Sequence, residues 1–167
     1  MRPGELPTAL RGLAVSQVGI LVPDLTAAVR SYQATLNLDD WLIYTYTPDN
    51  VPEMTYRGDP GHYAMRLAMA GTRPQIELIE PLVGPSVYQE WIDQRGYGVQ
   101  HLGIHVPHIA AVAGSLTNEG WLPAQTGRGY GVDGDGAFAY YDTVASLGLM
   151  LELIELPARR RPSEVLA

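Results

Sequence analysis

The sequence has no cysteine, no lysine and only one phenylalanine among its 167 residues. Without cysteine there are no disulfides and no thiolates, so any metal must be held by nitrogen and oxygen ligands. The basic complement is 11 arginines against 18 acidic residues, a formal net charge of −7. A nucleic-acid partner is therefore not expected, because neutralising phosphates requires clustered basic side chains. The one basic run, Arg159 to Arg161, lies in a proline-containing C-terminal stretch and reads as a solvated tail. No apolar run approaches the roughly 18 residues needed to span a bilayer. The opening MRPGELPTALRG lacks the apolar segment of a signal peptide. The expectation is a cytoplasmic protein with no membrane partner.

What is present is a globular composition, 46% hydrophobic and 17% charged, sized for one domain or two small halves sharing a core. Two words occur twice. VSQVGILVPDLTAAVRSY (Val15 to Tyr32) aligns with VQHLGIHVPHIAAVAGSL (Val99 to Leu116), matching Val15/Val99, Gly19/Gly103, Ile20/Ile104, Val22/Val106 and Pro23/Pro107. Each copy reads as a short strand, a proline turn and an alanine-rich helix. Downstream of each copy comes Glu-Leu-Ile-Glu, at Glu77 to Glu80 and again at Glu152 to Glu155. Repeated words in the same order mark an internal duplication.

Between these landmarks WLIYTYT and HYAMRLAMAG supply two more strands in the first half, and GAFAYYDT alternates in the second. The insert PDNVPEMTYRGDPG reads as a loop and the glycine-rich TGRGYGVDGDG as a flexible connection. A helix with a Pro85–Ser86 start and a Gly96 stop links the halves. The predicted fold is α+β: two βαβββ modules, residues 14–83 and 99–157, joined by a linking helix at 84–98, with tails at 1–13 and 158–167. The modules form a mixed sheet with helices outside and one concave face.

Strand alternation assigns the polar residues to faces. Gln17 shares a face with Gly19 and Leu21; His101 shares one with Gly103 and His105. The aliphatic partners of both sets belong under helices, which leaves Gln17 and His101 on the concave side. Glu77 and Glu152 are equivalent by the repeat, while Glu80 and Glu155 fall on the reverse face as strand-end residues reaching water. A pseudo-twofold then converges Gln17, Glu77, His101 and Glu152 on one cavity. Two buried carboxylates cost several kcal/mol each unless compensated. One imidazole nitrogen and three oxygens suit a single divalent ion (Zn, Ni, Co, Mn or Fe), with positions left for water or substrate.

With these residues in place the chain resembles the vicinal oxygen chelate superfamily, the glyoxalase and bleomycin-resistance fold. The resemblance is carried by SQVGILVPDLTAAVRSY, IELIEPL, QHLGIHVPHIAAV and YYDTVASLGLMLELIE and covers roughly residues 14–157. The linker GPSVYQEWIDQRGYGVQHLGI looks most like that of methylmalonyl-CoA epimerase and its relatives. The resemblance implies a glyoxalase-like cup around one metal, with ligands at Gln17, Glu77, His101 and Glu152. Epimerases usually have histidine where this chain has Gln17; a Gln-Glu-His-Glu set looks instead like some glyoxalase I enzymes.

Such a centre favours proton removal beside a carbonyl on a small substrate chelated through adjacent oxygens, giving epimerase, isomerase or glyoxalase-type lyase chemistry. By that resemblance Glu152 or Glu77 serves as the base; His105, on the face of His101, is the other candidate for proton transfer. Tyr44, Tyr46 and Tyr140 are candidate pocket walls within a wider aromatic stock that includes Trp41, Tyr56 and Tyr63. Arg66 is the candidate pocket cation, with Arg57, Arg73 and Arg128 as further possible anchors. A metal-free antibiotic-binding protein is the alternative. An extradiol-type dioxygenase, which needs two histidines and one carboxylate, fits less well. By analogy with paired modules of this fold, a homodimer is expected.

Overall fold

The computed structural model describes residues 7–165. A single mixed sheet carries almost all of the architecture. Its strands are β1 (Gln17–Leu21), β2 (Leu42–Tyr46), β3 (Glu53–Tyr56), β4 (Asp59–Pro60), β5 (Ala64–Ala70) and β6 (Gln75–Val83) in the first half of the chain. The second half adds β7 (Gly98–His105), β8 (Gln125–Tyr130), β9 (Gly136–Tyr141), β10 (Met150–Glu155) and β11 (Glu164–Val165). Helices α1 (Leu25–Leu36), α2 (Val87–Arg95), α3 (Ile109–Asn118) and the short α4 (Val144–Leu147) complete it.

The strand order is β11-β2-β5-β6-β1-β7-β10-β9-β8-β3-β4. At its centre β1 runs antiparallel to β7; β6 lies parallel to β1 and β10 parallel to β7. The duplication read from the repeats is thus two four-stranded βαβββ halves back to back.

Each half buries a helix on its outer face. Leu25 and Val29 of α1, one turn apart, are fully buried against Trp41, Ile43, Ala68, Ala70 and Leu78. In the second half Ile109 and Leu116 of α3 pack on Ile104, Val106, Ala137, Ala139, Tyr141, Leu151 and Leu153. A third apolar cluster fills the opposite, concave side, with Tyr46, Met65, Leu67, Met69, Ile79, Phe138, Tyr140 and Met150 drawn from both halves. Helix α2, capped by Ser86 Oγ accepting from the Gln89 amide at 3.2 Å, inserts Val87 and Tyr88 into this cluster.

Four expectations change. PDNVPEMTYRGDPG is not a loop: it folds into the β3–β4 hairpin, turned at Arg57 and Gly58, both at positive φ. TGRGYGVDGDG is not flexible in its first half, which is strand β8; a Cβ at Gly127 would lie 2.4 Å from the Phe138 ring, so the glycine admits that side chain. Trp41 does not face the cup but lies under α1. Finally, Glu80 and Glu155 do not simply reach water. Glu80 Oε2 accepts from the Leu25 amide at 3.3 Å, and Glu155 Oε2 from the Ile109 amide at 2.9 Å. They satisfy the first exposed amides of α1 and α3 and place negative charge at both helix N-termini.

The sheet edges are exchanged between halves. The β3–β4 hairpin leaves the first half to pair with β8 of the second, and the C-terminal β11 returns from the second half to pair with β2 of the first. Helix α3 gets no cap from its own His108 side chain, so Glu155 is its anchor. Replacing it, Glu155→Ala, is expected to cost about 1 kcal/mol, lowering the melting temperature by about 3 °C. Calorimetry checks this, and metal uptake by the variant should match wild type.

Candidate metal centre in the cup

The register of the central strand pair decides what meets inside the cup. Across β1 and β7, Gln17 faces Gly103 and Gly19 faces His101. On the outer flanks Gly19 pairs with Glu77 and Gly103 with Glu152. Two glycines are therefore each flanked by two of the polar residues. Gly19 is indispensable to this: a Cβ there would lie 1.8 Å from His101 Cε1. At Gly103 a Cβ would come within 2.8 Å of Gln17 Oε1.

The four polar side chains are almost wholly enclosed, His101 at 0%, Gln17 at 1%, Glu77 at 4% and Glu152 at 5% exposure. His101 Nε2 lies 3.3 Å from Glu77 Oε2 and 3.2 Å from Glu152 Oε2. One donor atom each from Glu77, His101 and Glu152 falls within 4.8 Å of the others, so the three can hold a metal ion. Gln17, Glu77 and Glu152 line one cavity, and its free volume of about 20 Å³ suits one water-sized occupant.

Gln17 Oε1, Glu77 Oε2, His101 Nε2 and Glu152 Oε2 are all buried without a hydrogen-bond partner among the described residues. Native interiors rarely leave such atoms unsatisfied, and four together need a common occupant. The supporting bonds aim them inward. Gln17 Nε2 donates to Gln75 Oε1 at 3.0 Å, which leaves Oε1 free. His101 Nδ1 sits 2.7 Å from Gln100 Oε1; donating there, it leaves the Nε2 lone pair free. The donor set therefore fits a divalent cation.

Burial raises the Glu152 carboxyl, with His101 and a hydrogen bond from Tyr140 acting in the opposite sense. Tyr140 in turn receives the Tyr88 hydroxyl at 3.1 Å and stands edge-on to the His101 ring. Burial alone would lower His101, but the negative charge of the adjacent Glu152 and Glu77 carboxylates outweighs it and holds the imidazole up at about 9.

Among the other candidates, Tyr46 and Tyr140 line the cavity, and Tyr44 stands one step outward in the adjoining chamber. Arg66 does not line this cavity. Alternation along β5 puts it opposite Met65, Leu67 and Met69, where it pairs with Glu80 and Glu164. His105 does not line this cavity; it borders two outer grooves, beside Ser16 and Gln75 and beside Pro107 and Asp135, with its Nε2 buried and unpartnered among the described residues. Arg57 is tied to Glu90, while Arg73 and Arg128 border other surface pockets.

Among the described residues, the cation that does reach the cup is Arg160. It belongs to the run read as a solvated tail, and no strand periodicity could place it; only the buried Pro157 and the β11 pairing turn this segment inward.

The comparisons with known proteins agree with this geometry. A sequence model of the Glyoxalase/Bleomycin resistance protein/Dioxygenase superfamily matches residues 16–141. The chain belongs to that superfamily. Among solved structures of this superfamily's fold, methylmalonyl-CoA epimerase from Mycobacterium tuberculosis aligns at 25% identity and a TM-score of 0.62, covering 92% of this chain and 93% of the other. A variant of the Streptomyces coelicolor epimerase bound to 2-nitronate-propionyl-CoA aligns at 21% identity and 0.64, covering 90% and 99%. A hypothetical protein from Bacillus halodurans aligns at 19% identity and 0.61, again over 90% and 99%. No curated protein sequence matches the chain.

The carboxylates of Glu152 and Glu77 raise the proton affinity of His101, so an ion at Nε2 competes with a proton. Uptake of a divalent ion at pH 7 should release about one proton and tighten as the pH rises from 6 toward 9. Titration calorimetry in buffers of different ionisation enthalpy counts the protons; uptake without release would contradict the arrangement.

Proposed function

We propose that the protein is a metal-dependent enzyme that removes and returns a proton beside a carbonyl, as an epimerase or isomerase, or a glyoxalase-type lyase, acting on a small substrate with two adjacent oxygens. The observation that carries this reading is the set of four inward-facing, unpartnered donor atoms on Gln17, Glu77, His101 and Glu152. We read all four as ligands. A bound divalent ion would supply Lewis-acid stabilisation of negative charge developing on a carbonyl oxygen.

The chain's own residues supply the rest. Of the two carboxylates that line the cavity, Glu77 and Glu152, we assign Glu152 as the base. Tyr140 steadies its oxygens, and Tyr88 fixes Tyr140. Met65, Leu67, Met69 and Phe138 keep water from the reacting carbon. Membership of the superfamily and the likeness to methylmalonyl-CoA epimerases support proton transfer over other chemistries. A cup meant only to sequester a drug has no use for two buried acids and a histidine, which cost several kcal/mol without an occupant. Dioxygenase chemistry is disfavoured because the cluster has one histidine among the described residues.

Elemental analysis should find one divalent ion per chain in wild type and none retained by His101→Ala. With metal, incubation in deuterated water with a panel of 2-oxo acids and acyl thioesters should exchange the proton beside the carbonyl. Glu152→Gln should slow that exchange by about 100-fold or more. Metal-replete wild type that exchanges no member of the panel would defeat the proton-transfer reading.

A further inference from the structure

Arg160 forms the wall between two spaces. It lines the deep cavity beside Gln17, Glu77 and Glu152, and also an outer chamber of about 180 Å³ bordered by Tyr44, Asn50 and Val132. Tyr46 is the other residue common to both. The guanidinium and the Tyr46 ring therefore stand where the chamber adjoins the cluster's cavity.

The segment that carries it is firmly held. Pro157 is buried where a Cβ on Gly131 would come within 2.4 Å of it. The Ala158 amide donates to Asp135 at 3.0 Å and Arg159 pairs with Asp133. Beyond Arg160, the Ser163 amide donates to the Ile43 carbonyl at 2.7 Å, and β11 pairs with β2.

The guanidinium itself is poorly satisfied. It stands 5.5 Å from the ring centres of both Tyr44 and Tyr130. Its Nη1 donates to Met69 Sδ at 3.3 Å, a weak acceptor, and its Nη2 to the Tyr130 hydroxyl at 3.4 Å, a long contact. Nε is buried with no partner among the described residues. Arg57, Arg66 and Arg159 each hold a carboxylate, whereas Arg160 holds none among the described residues. A half-buried guanidinium with an unused donor calls for an acceptor with paired oxygens.

Charge balance agrees. The two carboxylates lie beside the ion and are used in balancing it, so the Arg160 guanidinium at the chamber end keeps a positive charge with no counter-ion of its own among the described residues. We propose that Arg160 is a specificity-determining residue that binds a carboxylate on the substrate, one distinct from the oxygens that chelate the ion. Resting on the proposed metal-dependent function, this narrows the substrate class to small oxo-acids or acyl compounds bearing a further carboxylate at the chamber end. The aromatic contacts keep the guanidinium plane fixed while the substrate oxyanion replaces the weak sulfur and hydroxyl acceptors.

The test uses manganese-loaded protein, with 2-oxoglutarate and its 5-methyl ester as probes. Both present the same 2-oxo-carboxylate chelate, and only the acid carries a second anion. Calorimetry should show wild type binding the acid at least tenfold more tightly than the ester. Arg160→Met should bring the acid down to the level of the ester, leave the ester unchanged, and keep manganese affinity and melting temperature near wild type. Arg160→Lys should recover part of the acid's advantage. An unchanged acid-to-ester ratio in Arg160→Met would overturn the assignment, as would equal weakening of both probes together with a lost melting temperature, the sign of a structural role. Failure of metal-loaded wild type to bind either probe would also overturn it. Failure of wild type to take up manganese would instead overturn the metal-dependent reading beneath it.

Discussion

The pairing of β1 with β7 is the constraint on which the rest of the molecule turns. It sets Gly19 opposite His101 and Gly103 opposite Gln17, and the parallel neighbours bring Glu77 and Glu152 to the same two glycines. A one-residue slip in this pair would send His101 under α3 and bring aliphatic side chains into the cup. The large aliphatic residues under both helices oppose that slip, because it would expose Ile104 and Ile20 while burying charge against the helices. Burial in the outer cores thus holds an internally unfavourable cluster in register. Stability is generated on one side of the sheet and spent on the other.

The Glu-Leu-Ile-Glu strands make this coupling explicit. In each, the first glutamate faces the cup and the second reaches the N-terminus of the helix packed on the other face. Three residues apart on an alternating strand, they necessarily point to opposite sides. One short word therefore ties helix position and cluster geometry together in both halves. The same logic explains why each helix begins immediately after the strand that supplies Gln17 or His101, with its first amide aimed back at a neighbouring strand.

Much of this was legible in the sequence because it follows from period two and from the repeat. The offset between Gln17 and His101, and the equivalence of Glu77 and Glu152, needed only alternation and alignment of the copies. What alternation could not supply was the behaviour of segments that are not duplicated. The β3–β4 hairpin has no counterpart in the second half, and its proline and glycine content reads as loop until β8 offers an unpaired edge. Arg66 is a cation in an apolar strand, but Leu67 and Met69 beside it take the cup face and leave it the other. Arg160 sits in a charge run of the kind that is usually solvated, and nothing local signals that the buried Pro157 anchors the chain before it.

The unduplicated segments also solve a problem that duplication creates. A pseudo-twofold cup suits an ion, which is indifferent to direction, but a substrate with two different ends needs walls that differ. The strands of the core cannot provide them without disturbing the register that assembles the cluster. The edges can. On one flank the C-terminal segment brings Arg160 between Tyr44 and Tyr130; on the other, α2 brings Tyr88 against Tyr140 and its Val87 amide donates to Gln125 at 2.9 Å. A cationic, partly open side thus faces a neutral, closed one. Because β11 must pair with β2 to hold Arg160 in place, the polarity of the site depends on a chain end from one half being seated on the other. The symmetric core makes the cluster, and the crossed edges give it a direction.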